Sequence, residues 1–206
     1  IIRKNMLGLG TYIKLSREGY DFDKCDAQSI IHLISQHGPN LVGLELGVFE
    51  AGSFCALLQK CPNIKTLYGV DSWQPYTDYL KEPYDGSPAY SIDSKSIEII
   101  KFMAFHAIKH SGFKEKAVIL EKDSKDALNY ISDNSLDFIF LDTYMSYEQA
   151  FKDIQDWYPK VKKGGLFTGH DANGPIIMKV ILDFREKYNI KSYMSVFDNT
   201  FVWKKY

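Results

Sequence analysis

Cysteine is scarce: Cys25, Cys55 and Cys61 are all that 206 residues contain. Their spacing makes no zinc-ligand pattern, and an odd number cannot all pair within one chain, so neither a disulfide framework nor a structural zinc site is expected. A long apolar run is missing as well; none spans a bilayer, and Ile1-Ile2-Arg3-Lys4 does not open the apolar core of a signal peptide. Charge of one sign is not in excess. The 25 Lys and Arg stand against 26 Asp and Glu, a formal net charge of -1, and no basic cluster offers a phosphate track. A reducing, cytoplasmic setting is expected, with neither membrane nor nucleic acid as partner. Repeats and the three close glycines of a dinucleotide fingerprint are absent too.

What is present is an alternation. The hydrophobic share of 45% suffices for one domain with a sizeable core, read here as residues 1–206. From residue 41 onward, strand-like and helix-like patterns take turns. Residues 41–46, 66–70, 117–120 and 136–141 read as strands, the last an apolar run broken only by Asp137. Helices are expected over 51–59, over 94–109 on the spacing of Ile97, Ile100, Met103, Ala104, Ala107 and Ile108, and over 124–131. Ala150, Phe151, Ile154, Trp157, Tyr158 and Val161 form another helical stripe, with Lys162-Lys163-Gly164-Gly165 as its stop through basic charge and a glycine cap. Leu166-Phe167-Thr168 reads as a strand, and Pro175 opens a helix carrying Ile177, Val180, Ile181 and Phe184. Residues 192–197 and 200–203 around Asp198-Asn199 read as a β-hairpin. The sum is an α/β fold: a doubly wound, mostly parallel seven-stranded sheet with a C-terminal antiparallel hairpin.

Two segments stand outside the alternation. Residues 1–40 read as a helical lead-in with Ile30, Ile31, Leu33 and Ile34 apolar. Residues 73–91 carry Trp73, Tyr76, Tyr79, Tyr84 and Tyr90, a candidate lid or substrate wall, or equally a surface loop pinned by its tyrosines. The hairpin edge is a candidate for pairing across a homodimer, unless polar side chains protect it.

In open α/β sheets a ligand lies beyond the carboxyl ends of the strands. Those ends carry Glu45 and Gly47, Asp71, Asp123, Asp142, and His170-Asp171. An acid after a strand is an ordinary turn-former, but five such ends describe an acidic rim. Glycines let a backbone approach a nucleoside, and an acid ending the second strand accepts from ribose hydroxyls. Asp71 has that place.

The run Glu45-Leu46-Gly47 resembles the first motif of class I S-adenosylmethionine-dependent methyltransferases, with Asp71 matching that family's ribose-binding acid. A second block sharpens the likeness. Asp142-Thr143-Tyr144-Met145-Ser146-Tyr147-Glu148, then Asp153-Ile154 and Trp157, then Gly164-Gly165 through His170-Asp171, resembles a subgroup that includes small-molecule and sugar O-methyltransferases. The resemblance covers about residues 41–190. It implies S-adenosylmethionine as cofactor, contacted by Glu45, Gly47, Gly52, Ser53, Asp71, Ser72, Asp123, Ser124 and Asp142, with Asp123 or Ser124 at the adenine edge. The implied reaction is methyl transfer to a small molecule, with oxygen as the expected acceptor.

For the proton, His170 is the natural general base, with Asp142 beside it, because an imidazole titrates near neutrality. Metal-dependent O-methyltransferases resemble the same constellation, which implies Asp142, His170 and Asp171 as ligands of Mg²⁺ or Mn²⁺; Asn173 is set one residue off that pattern by Ala172. Where the subgroup has a histidine before Ser-Tyr-Glu, this chain has Met145, whose thioether relays no proton. The alternative is therefore a domain of the same fold that binds the cofactor or a nucleoside without methylating. The Pro-Pro-containing motif of amino-group methylases of nucleic acid is missing after Asp142.

Overall fold

A computed structural model describes Cys25 and residues 27–75, 92–143 and 146–206. In chain order the elements are α1 (Gln28–Ser35), β1 (Leu41–Leu46), α2 (Gly52–Lys60), β2 (Ile64–Asp71), α3 (Ser94–His110), β3 (Ala117–Glu121), α4 (Ser124–Ala127), β4 (Leu136–Leu141), α5 (Tyr147–Trp157), β5 (Val161–Gly169), α6 (Pro175–Lys187), β6 (Met194–Phe197) and β7 (Thr200–Lys204). The seven strands form one sheet in the order β3-β2-β1-β4-β5-β7-β6. Pairings among β1 to β5 are parallel, while β7 runs antiparallel to both β5 and β6.

The period of two along a strand builds both cores. Phe138 and Phe140 of β4 enter the apolar layer shared with α1, α2 and α3, whereas Ile139 and Leu141 enter the layer under α5 and α6. All four are buried, as a central strand covered on both faces requires. Chain order reverses between β1 and β4: β2 and β3 lie to one side, β5 to the other. The crevice of such a sheet opens at the carboxyl ends of those two strands.

Three expectations shift. The helix after β4 ends at Trp157, and a 3-10 turn at Tyr158–Lys160 holds Pro159, which has no N–H to continue the ladder. Lys162-Lys163-Gly164-Gly165 is therefore not a helix stop but part of β5. Gly164 takes a left-handed φ of 82°, its N–H donates to Lys205 O (2.6 Å), and Lys205 N–H donates to Gly165 O (2.9 Å). The expected helix over 124–131 is one α-turn followed by a 3-10 turn at Leu128–Tyr130. The hairpin begins at Met194, and Asp198 and Asn199 both have positive φ (48° and 62°), the requirement of a type I′ turn. No helix of the described residues is long and apolar enough to cross a membrane.

Candidate active site at the carboxyl ends of the strands

Each central strand extends its ladder by one residue past its end. Gly47 N–H donates to Val70 O (2.9 Å), Asp142 N–H to Leu46 O (2.8 Å) and His170 N–H to Leu141 O (2.8 Å). Gly47, Asp142 and His170 thus occupy adjacent columns above the sheet. Gly47 has φ +91°, and a Cβ built there would sit 1.9 Å from Asp142 O. Only glycine lets β1 and β4 leave the sheet side by side.

Beyond Gly47 the chain is strained. Phe49 and Ala51 are left-handed at φ 49° and 65°, conformations costing on the order of 1–3 kcal/mol each for non-glycine residues. Asp71 holds this loop: its Oδ2 accepts from the N–H groups of Val48 (3.0 Å) and Phe49 (2.8 Å), and its Oδ1 from Trp73 N–H (2.8 Å). Burial pushes the Asp71 carboxyl up, and the same backbone donors oppose that shift. Trp73 adds an indole N–H to Phe49 O (3.0 Å) and packs on Phe105, 5.5 Å between ring centroids. Ser72 lies half-buried next to Asp71, and the space above Gly52 at the start of α2 is open.

Glu45 is placed differently from the other acids. It is fully buried, and its Oε1 accepts from Ser53 Oγ at 2.5 Å, so the pair ties the first turn of α2 to β1 from beneath. At the end of β3, Asp123 is exposed, whereas the Ser124 hydroxyl turns inward: it donates to Asp153 Oδ1 (2.6 Å) and accepts from Trp157 Nε1–H (2.7 Å).

On the other side of Gly47, Asp142, His170 and Asp171 converge. His170 Nδ1 lies 3.2 Å from Asp171 Oδ1 and 3.9 Å from Asp142 Oδ1. One ligand atom from each of the three falls within 4.8 Å of the others, a spacing that one cation could bridge. The hydrogen bond from His170 holds the Asp171 carboxyl below the usual carboxylate range. These polar groups rim a cleft whose floor is apolar, with Leu141, Ala150, Ile154, Ile177 and Phe201.

The structure therefore gathers Gly47, Asp71, Asp142, His170 and Asp171 at one end of the sheet, with Asp123 on the far side of β2 and Glu45 beneath. Two residues that the sequence did not assign to the site bond to its members. Asn199, in the hairpin turn, donates from Nδ2 to Asp171 Oδ1 (3.2 Å) and accepts at Oδ1 from Asn173 N–H (2.7 Å). Asp153 is buried with Ser124; its signal in the sequence is an acid between Ala150, Ile154 and Trp157 on a helix face otherwise buried and apolar. Tyr144, Met145 and the tyrosines of residues 76–91 lie outside the described residues.

No curated protein matches the sequence. A family model described as a methyltransferase domain matches residues 44–172, more than half of the chain. Among solved structures, the fold is similar to that of the O-methyltransferase NovP, at 18% identity and a TM-score of 0.62 over 85% of this chain and 78% of that one. It is also similar to a caffeoyl-CoA O-methyltransferase assigned in Staphylococcus aureus, at 15% identity and a TM-score of 0.59 over 98% of both chains. A precorrin-6y C5,15-methyltransferase from Geobacter metallireducens follows at 11% identity and 0.59 over 87% and 89%. At such identities the structural likenesses speak for the fold, and the match over 44–172 speaks for the family. The chain belongs to that methyltransferase family and is an S-adenosylmethionine-dependent methyltransferase.

Proposed function

We propose that this protein methylates a hydroxyl oxygen of a small molecule held over the cleft beside Gly47. The observation carrying the reading is the convergence of Asp142, His170 and Asp171 over an apolar floor, one backbone contact away from the glycine turn. The residues fit the cofactor that the family implies. The open space above Gly52 admits a ligand to the backbone, and the acids Asp71, Asp123 and Asp142 suit its amine, hydroxyls and adenine amino group. Glu45 and Ser53 support that pocket from below, with Ser72 and Ser124 next to two of its acids. When bound, S-adenosylmethionine supplies a methyl group already activated on a sulfonium; the chain's own task is alignment and the exclusion of water.

His170 then manages the acceptor's proton. With Nδ1–H directed at the Asp171 carboxylate, the proton-accepting lone pair falls on Nε2, and the adjacent acid stabilises the imidazolium that forms. Asp142 Oδ1 approaches the same Nδ1, at 3.9 Å, and adds negative charge beside the imidazolium. The 4.8 Å spacing also favours a second reading, in which the same three side chains would hold Mg²⁺ or Mn²⁺, an ion that would supply Lewis acidity to lower the pKa of a nearby hydroxyl.

Calorimetric titration with S-adenosylhomocysteine, with and without Mn²⁺, tests both. Micromolar binding lost in Asp71→Ala supports the pocket, and affinity raised by Mn²⁺ in the unsubstituted protein but not in Asp142→Asn supports the metal reading. Absence of binding under every condition refutes the proposal.

A further inference from the structure

Asp153 is 4% exposed, and its carboxylate sits within a chain of buried hydrogen bonds. Its Oδ1 accepts from Ser124 Oγ (2.6 Å) and from Gln149 Nε2, one turn earlier on α5 (3.2 Å). Ser124 Oγ in turn accepts from the indole N–H of the fully buried Trp157 (2.7 Å). The serine hydroxyl is thus used in both directions. Rotating it outward would break two bonds and leave a buried carboxylate and a buried indole N–H short of a partner.

Packing alone does not call for an acid here. An apolar residue of the same volume would fill the space without the desolvation that pushes the Asp153 carboxyl up. What the carboxylate adds is a fixed position for Ser124, and with it for Asp123, the residue before it. Asp123 is exposed, extended at φ -61° and ψ 150°, and its side chain makes no bond to cap α4. The network therefore fixes the backbone at Ser124, which the exposed Asp123 precedes at the carboxyl end of β3.

We infer that Asp153 is a positioning residue for the adenine side of the cofactor pocket: through Ser124 it sets the Asp123 carboxylate where it accepts from an exocyclic amino group. The inference rests on the cofactor placement proposed above. It assigns Ser124 an internal role and leaves the base contact to Asp123.

The test compares S-adenosylhomocysteine with S-inosylhomocysteine, which carries an oxygen in place of the amino group, by calorimetry on the full chain. The unsubstituted protein should prefer the adenosyl ligand by about tenfold or more, the worth of a hydrogen bond to a charged acceptor. Asp153→Leu should lose most of that preference, Ser124→Ala should lose part of it, and Asp153→Asn, whose amide oxygen still accepts from Ser124, should keep it. A variant that is merely less stable would weaken both ligands equally. Equal loss for both in Asp153→Leu and Ser124→Ala overturns the inference, as does an unsubstituted protein that binds both alike. Failure of the unsubstituted protein to bind either ligand instead removes the cofactor placement itself.

Discussion

Gly47 is the residue at which backbone geometry and chemistry meet. Its φ of +91° and the 1.9 Å that would separate a Cβ from Asp142 O leave no room for any side chain. Gly47→Ala should cost on the order of 2–4 kcal/mol, read as a lower urea midpoint with an unchanged slope; a midpoint within error of the parent would show that the two strand ends are free to separate. Asp153 and Asp171 carry opposite signatures against pH. Burial raises the Asp153 carboxyl, so the folded protein binds that proton more tightly than the unfolded chain does. Its stabilising contribution is full below the ordinary carboxylate value of about 3.9 and is lost as pH rises through the raised folded value. The hydrogen bond from His170 lowers Asp171, whose contribution is present above about 3.9 and lost as pH falls through its lowered folded value. In urea melts across a pH series, Asp153→Asn should flatten the decline on the neutral side and Asp171→Asn the decline on the acid side. Identical profiles for the two variants would contradict the assignment.

At the scale of elements, the C-terminal hairpin does more than close the sheet. Its turn residue Asn199 reaches back to the loop after β5 with three bonds: its side chain meets Asp171 and Asn173 N–H, and its carbonyl accepts from Ala172 N–H (2.9 Å). That loop needs holding, because Asp171 itself is left-handed at φ 59°. Asn199→Gly keeps the positive φ and loses the side-chain bonds, whereas Asn199→Ala loses both. The expected order of stability is parent, then glycine, then alanine, with a total loss of about 1–3 kcal/mol. Glycine as stable as the parent would mean that turn conformation alone matters there. The same view of elements explains the β5 boundary. Lysines followed by glycines make a good helix stop locally, but residues 164 and 165 exchange hydrogen bonds with Lys205, which no local pattern announces.

For the whole molecule, the sheet separates a reactive end from an inert interior. Cys55 and Cys61 are both fully buried, and burial pushes their thiols up to about 12 and about 11, with the charge of Glu45 adding to the first. Neither forms thiolate near neutrality. A thiol reagent should therefore modify Cys25 faster than either of them in the native protein and all three at one rate in denaturant. Rapid native labelling of Cys55 would mean that α2 opens from β1, which would also break the Glu45–Ser53 tie beneath the proposed cofactor pocket.

The sequence by itself determined the class of fold, because strand and helix periods are local and the turn residues between them are local too. It also marked Gly47, Asp71, Asp142, His170 and Asp171, since each directly follows or ends an apolar strand and parallel connections bring such ends together. Tertiary structure decided what those ends do to one another. The Ser124–Asp153 bond joins residues 29 apart, the Asp171–Asn199 bond residues 28 apart, and the Asp71 bond to Val48 residues 23 apart. A side chain's direction, inward for Ser124 and beneath the helix for Glu45, depends on which distant donor or acceptor packing places against it. Local periodicity sets which face a residue is on; only the assembled layers set its partner.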